Sequence, residues 1–153
     1  MKYSALSIGL FAGALGAPPS EVFMRDDVQT AHLTFHTDSC PETYALAVKA
    51  DGSTVETAHD GLDIFLIDAP DYLAYSMCKF QTPGEVTLST KLASDNVTTQ
   101  IVLSPPQPVL SVRCEGKCLG TYVACYTSSG MLVGPCCNGF CAADLCRPWN
   151  TGR

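Results

Sequence analysis

No stretch of this chain gathers lysine and arginine into a patch. Nine cations are scattered among fifteen carboxylates, for a formal net charge of −6. A phosphate backbone is engaged through clustered cations, so nucleic-acid binding is not expected. Also missing is an apolar run of the roughly 20 residues that a transmembrane helix requires. The longest, from about Ala5 to Leu15, stops well short, and no membrane span is expected. Catalytic motifs are lacking as well: G-x-S-x-G, H-E-x-x-H and a phosphate-binding glycine loop do not occur. No convergent set of polar residues replaces them, so the sequence reads as non-enzymatic, with no cofactor implied. Helical periodicity is absent too, which leaves β structure and cysteine as the informative features.

The cysteines have to be read together with the N-terminus. "MKYSALSIGLFAGALGAPPSE" has a cation at Lys2, an apolar stretch, then small residues and a proline pair, the layout of a secretory signal peptide. Cleavage after Gly16 is expected, because cutting after Ala17 would put Pro18 beside the scissile bond. The mature chain would lose Lys2 and carry eight cations against fifteen carboxylates, a net charge of −7. A secreted, extracellular location follows, with thiols that can oxidise. Charge and cysteine then divide the remainder. Residues 17–113 carry five cations, thirteen carboxylates and two cysteines, whereas 114–153 carry three cations, two carboxylates and seven cysteines.

The first part alternates at the period of a strand. In "QTAHLTFHT", Ala31, Leu33 and Phe35 fall on one face and His32, Thr34 and His36 on the other. "TYALAVK", "GLDIFLID", "LAYSMCKFQ", "EVTLSTKL", "TTQIVLS" and "PVLSVRC" follow. They are separated by turn formers at Asp51 and Gly52, Ala69 to Asp71, Pro83 and Gly84, Ser94 to Asn96, and the prolines 105, 106 and 108. Seven or eight short strands at such spacing predict an antiparallel β-sandwich or barrel over residues 17–113. The roughly 40 residues after it are too few to hold a fold without disulfides or metal. A small disulfide-rich module over 114–153, docked against the sheet, is the expectation.

From Cys114 the pattern is C-x3-C-x6-C-x10-CC-x3-C-x4-C. Six cysteines alone leave 15 connectivities open, and the neighbours Cys136 and Cys137 are expected to have different partners. Zinc is the competing use of such clusters, but all three histidines lie upstream and secreted thiols oxidise. Of the other three cysteines, Cys78 is expected to bond Cys114, with Cys40 left as a free or intermolecular thiol. The alternative is Cys40 to Cys78 with Cys114 left over. A monomer is expected, with a disulfide-linked dimer through Cys40 left open.

The last six cysteines resemble the C…C…CC…C…C signature of inhibitor cystine knots (knottins). That resemblance implies Cys118 to Cys137, Cys125 to Cys141 and Cys136 to Cys146. The chain also resembles the fungal small secreted cysteine-rich proteins of plant-associated ascomycetes, through "LIDAPDYLAYSMC", "SPPQPVLSVRC", "CLGTYVACYTSSG" and "PCCNGFCAADLCRPWNTG". It implies an apoplastic effector or elicitor whose partner is a plant surface receptor, an apoplastic protein or a wall glycan. An inhibitor of a host hydrolase and a chitin or cell-wall binding module are the alternatives.

Other chemistry is sparse. His32 and His36 share a strand face about 13 Å apart, too far for one metal ion, and read as a solvated face. Asp60, Asp63, Asp68 and Asp71 read as surface charge that discourages sheet-edge association. Asn96 heads the sequon Asn-Val-Thr in an expected hairpin turn and is a candidate for N-glycosylation. The loop "YTSSGMLVGP" supplies Tyr126, Met131, Leu132 and Val133 as interaction candidates, with Phe140 and Trp149 nearby and Tyr122 as a further stacking ring. The competing role for these side chains is to seal the module against the β domain.

Overall fold

The computed structural model describes residues 27–38 and 42–149. The signal peptide expected over 1–16, and Cys40, lie outside the described residues. Among those described, no helix is long and apolar enough to cross a membrane.

Strand β1 (Thr30–Thr37) buries Ala31, Leu33 and Phe35 and turns His32 outward, as alternation requires of a sheet with one wet face. It pairs with β2 (Thr43–Lys49) and β4 (Ile64–Ala69), and β4 pairs with β7 (Thr99–Gln107), which pairs with β6 (Thr87–Leu92). The five-stranded antiparallel sheet thus runs β2-β1-β4-β7-β6. A three-stranded sheet, β3-β8-β5, is built from β3 (Asp51–Glu56), β5 (Cys78–Gln81) and β8 (Ser111–Glu115). Phe35, Ile67 and Ile101 of the first sheet share one core with Val112 and Cys114 of the second, so the two sheets form a sandwich. They do not close into a barrel: β2 and β6 remain edges.

Three local expectations are corrected. Asp51 and Gly52 do not separate strands but open β3. The chain passes from one sheet to the other at Ala50, with Gly52 at φ +82° and a register shift between Asp51 and Thr54. "DGSTVE" is largely exposed, so it carries no apolar alternation to read. Second, β7 continues through Pro105 and Pro106. Its register against β4 jumps from Val102↔Leu66 to Gln107↔Ile64, and in that bulge no ladder N–H is required of proline. Third, "LAYSMCKFQ" is a single helical turn, α1 (Ala74–Met77), before β5 begins.

Tyr72 is the largest fully buried side chain. Its hydroxyl donates to the Gly116 carbonyl at 3.0 Å, fixing the point where the sandwich gives way to the C-terminal module. Burial pushes its phenol upward, and Glu115 adds to that. Tyr44, stacked between Phe35 at 4.6 Å and His59 at 4.0 Å, is pushed by burial from 10.0 to about 12. A phenol whose folded pKa is raised contributes stability that is complete below pH 10 and is lost as pH climbs through about 12. Alkaline unfolding across that window is therefore expected to weaken in Tyr44→Phe. Equal pH slopes for the two proteins would show that the phenol plays no part.

Cys78 and Cys114 face each other across β5 and β8 and are bonded; Cys40 to Cys78 is thereby excluded. Further bridges join Cys118 to Cys137, Cys125 to Cys141 and Cys136 to Cys146. Eight cysteines are consumed in this way. The denatured, unreduced monomer is accordingly expected to give one thiol per chain with a thiol reagent, and two or more would mean an open bridge.

The module has almost no hydrocarbon core. Cys125, Cys136 and Cys146 are buried against Leu119 and Cys141, so sulfur takes the place of aliphatic side chains. Its regular structure is the hairpin of β9 (Phe140–Ala142) and β10 (Leu145–Arg147), closed by Ala143 and Asp144 at φ +50° and +61°. Two positive φ values mark a turn that favours Asn-Gly. Replacing the pair (Ala143→Asn, Asp144→Gly) should raise stability by about 1 kcal/mol, read as a higher thermal midpoint.

Candidate functional site

The module is fixed to the sandwich on one side and exposed on the other. The Gln29 side chain accepts from Cys118 N at 3.0 Å and donates toward Cys137 Sγ at 3.4 Å. Buried Asn138 accepts from the Thr99 hydroxyl at 3.0 Å and donates to the Pro70 carbonyl. Cys118 and Cys137 belong to the same core as Phe35 and Ile67. This polar and sulfur seam leaves the opposite surface of the module to solvent.

Two exposed features stand out on the module. The first is a hairpin in which Tyr126 bridges Leu132 and Val133 N donates to Cys125 O at 2.8 Å. Its turn closes through Thr127 N to Met131 O at 2.8 Å, Gly130 N to Thr127 O at 2.9 Å and Met131 N to Thr127 Oγ1 at 3.1 Å. Cys125 and Cys136 flank it, and disulfides hold both to the β9–β10 hairpin at Cys141 and Cys146. Met131 and Leu132 are 65% and 61% exposed, and Tyr126 and Val133 are exposed as well. The second is an aromatic row. Arg147 lies over the Tyr122 ring at 5.5 Å, Phe140 is its cross-strand partner, and Phe140 leans on Trp149 at 5.9 Å. Tyr122, Phe140 and Trp149 are exposed too, and of these Trp149 also borders the sandwich, sharing a groove with Thr90, Lys91, Leu92 and Thr99.

The polar groups of the sandwich are otherwise engaged. His32 Nδ1 meets Asp71 Oδ2 at 2.5 Å, while His36 Nε2 meets Asp68 Oδ2 at 2.8 Å. Gln100 Nε2 donates to the other Asp68 oxygen at 2.6 Å. Asp68 and Asp71 are thus partners of the two histidines, and Asp68 sits on a central strand rather than at an edge. Sequence spacing kept the histidines apart from each other; it did not show that each would find a carboxylate. The sulfurs of Cys125, Cys136 and Cys146 lie within 4.8 Å of one another, but all three are in disulfides and offer no thiolate to a metal.

Asn96 is exposed at φ +56° in the turn between β6 and β7. Asp95 organises that turn, accepting from Val97 N and Thr98 N at 2.9 Å and from Thr98 Oγ1 at 2.6 Å. These hydrogen bonds hold its carboxyl below the ordinary value. Arg147 was not legible as a site residue, because only the Ala143–Asp144 turn sets it opposite Phe140. In comparisons with known proteins the chain matches no family model, no curated protein and no solved structure.

Proposed function

We propose that the protein is a secreted, non-enzymatic effector or elicitor of the fungal cysteine-rich type, perceived at a plant surface through the exposed hairpin of its C-terminal module. The observation that carries this reading is the exposure of Met131, Leu132 and Val133 on a loop flanked by disulfide-held cysteines. Apolar groups held out in water mark a contact surface, and a pre-ordered loop loses little entropy on docking. Four disulfides in so short a chain belong with an oxidising, extracellular compartment. The partner is a surface receptor or apoplastic protein with an apolar pocket.

The test is leaf infiltration, scoring cell death and oxidative burst. Oxidised protein is compared with its reduced and alkylated form and with the variant Met131→Ser, Leu132→Gly, Val133→Ser. Activity confined to the oxidised native form supports the reading. Inactivity of all three, or equal activity, overturns it.

The same hairpin favours a second reading, inhibition of a host hydrolase. A loop tied near both feet presents backbone to a cleft as a substrate would. Stoichiometric inhibition that disappears in the same triple variant is the expected signature, and inhibition unchanged by it would exclude the loop.

A further inference from the structure

The aromatic row is a different surface from the hairpin and carries an inference of its own. We propose that Tyr122, Arg147, Phe140 and Trp149, continued by Lys91, form a binding strip for a polysaccharide bearing carboxylates.

The strip is continuous. Arg147 covers the Tyr122 ring, its cross-strand partner Phe140 contacts Trp149, and Trp149 lines a groove of about 240 Å³ with Thr90, Lys91, Leu92 and Thr99. Lys91 and its neighbours belong to β6, an edge of the five-stranded sheet. An edge strand presents backbone donors and acceptors to which sugar hydroxyls can bond. The flat, apolar face of a pyranose matches the face of an aromatic ring, and indole and phenol rings combine an apolar body with a polar tip.

Charge selects the class of glycan. The chain has fifteen carboxylates and nine cations, yet the charged side chains of the strip are both cations. Among the described residues neither Arg147 nor Lys91 takes part in an ion pair; the salt bridges run from His32, His36 and Arg113. A half-buried guanidinium held over a ring is suited to bidentate recognition of a carboxylate. A neutral glycan would leave both cations without a role.

The acidity of the whole protein makes the test demanding, since a polyanion repels it at long range and retention requires a local site. The probe is polygalacturonate in affinity electrophoresis and calorimetry, with chelator present to remove divalent bridges, and with fully methyl-esterified pectin and chitin as neutral comparisons. Native protein is expected to bind polygalacturonate and to bind the esterified polymer at least about tenfold more weakly. Trp149→Ala should weaken binding by roughly tenfold through lost stacking. Arg147→Gln should weaken it similarly and flatten its salt dependence. The Met131–Val133 triple variant should bind as the native protein does, and disulfide maps of each variant establish that it is folded. Failure to bind polygalacturonate, equal binding to the esterified polymer, or binding indifferent to Arg147→Gln would overturn the proposal. These outcomes are independent of plant perception, so either inference can fail alone.

Discussion

Replacing Cys78 and Cys114 together by alanine should remove about 4 kcal/mol of stability. The bridge closes a loop with a sequence separation of 36, and chain-entropy arguments put the restriction it places on the unfolded state at that magnitude. It also joins the edge strand β5 to β8 at the place where the sandwich meets the module. Both cysteines are buried, so alanine is preferred to serine, whose hydroxyl would need a partner. Changing both matters, because a lone Cys114 could be captured by Cys40. A domain of this size has roughly 5–15 kcal/mol in all, so denaturant unfolding should show a large fall in the midpoint. A fall of less than about 1 kcal/mol would mean that the aliphatic core alone holds the sheets together, with the loop already restricted in the unfolded chain.

Gly139→Ala is expected to be at least as damaging, for a reason confined to backbone. Gly139 has φ +113°, and a Cβ there would lie 1.8 Å from the carbonyl oxygen of Arg147 and 2.8 Å from its carbon. No rotamer relieves a clash with main chain. Relief requires β9 and β10 to part beside Phe140 and Arg147, which displaces Cys141 and Cys146 from the partners that hold the sulfur core. Strain in φ alone costs about 1–3 kcal/mol, and the clash adds to it. The oxidised product should therefore appear as a mixture of disulfide isomers with a lowered thermal midpoint. Gly130→Ala is the matched control: φ is +80° but nothing lies within 4 Å of the added carbon, so about 1 kcal/mol and an unchanged disulfide map are expected. A single disulfide map for Gly139→Ala with a native midpoint would refute the argument.

What could be read in the sequence divides along physical lines. Where one face of a strand is buried, as at Ala31, Leu33 and Phe35, alternation marks it, and β1, β7 and β8 carry buried positions of this kind. β6 is as exposed as β3 and was legible through its threonine and leucine content between two turns. β3 was not, because its residues are mostly exposed and Gly52 imitates a turn. The extension of β7 through Pro105 was hidden because proline is a strand breaker except where a bulge frees its nitrogen, and bulges depend on the partner strand. Cysteine spacing established that the C-terminal segment would be held by disulfides, while the partners it named came from resemblance to knottins. Exposure of the hairpin and the row through Arg147 are properties of the assembled surface. Apolar residues such as Met131 and Leu132 carry the same letters whether they cover a sheet or face water.

The two halves differ in the chemistry that stabilises them, yet Cys118 and Cys137 lie in the core they share, and Gln29, Thr99 and Pro70 are hydrogen-bonded across the seam. This makes the cysteine-rich segment a poor candidate for transfer by recombination. Moved to another scaffold, it would carry away part of a core and leave its former host with an uncovered sheet. Descent should therefore preserve the pair as one block, with variation accumulating in the exposed hairpin and aromatic row rather than at the joint.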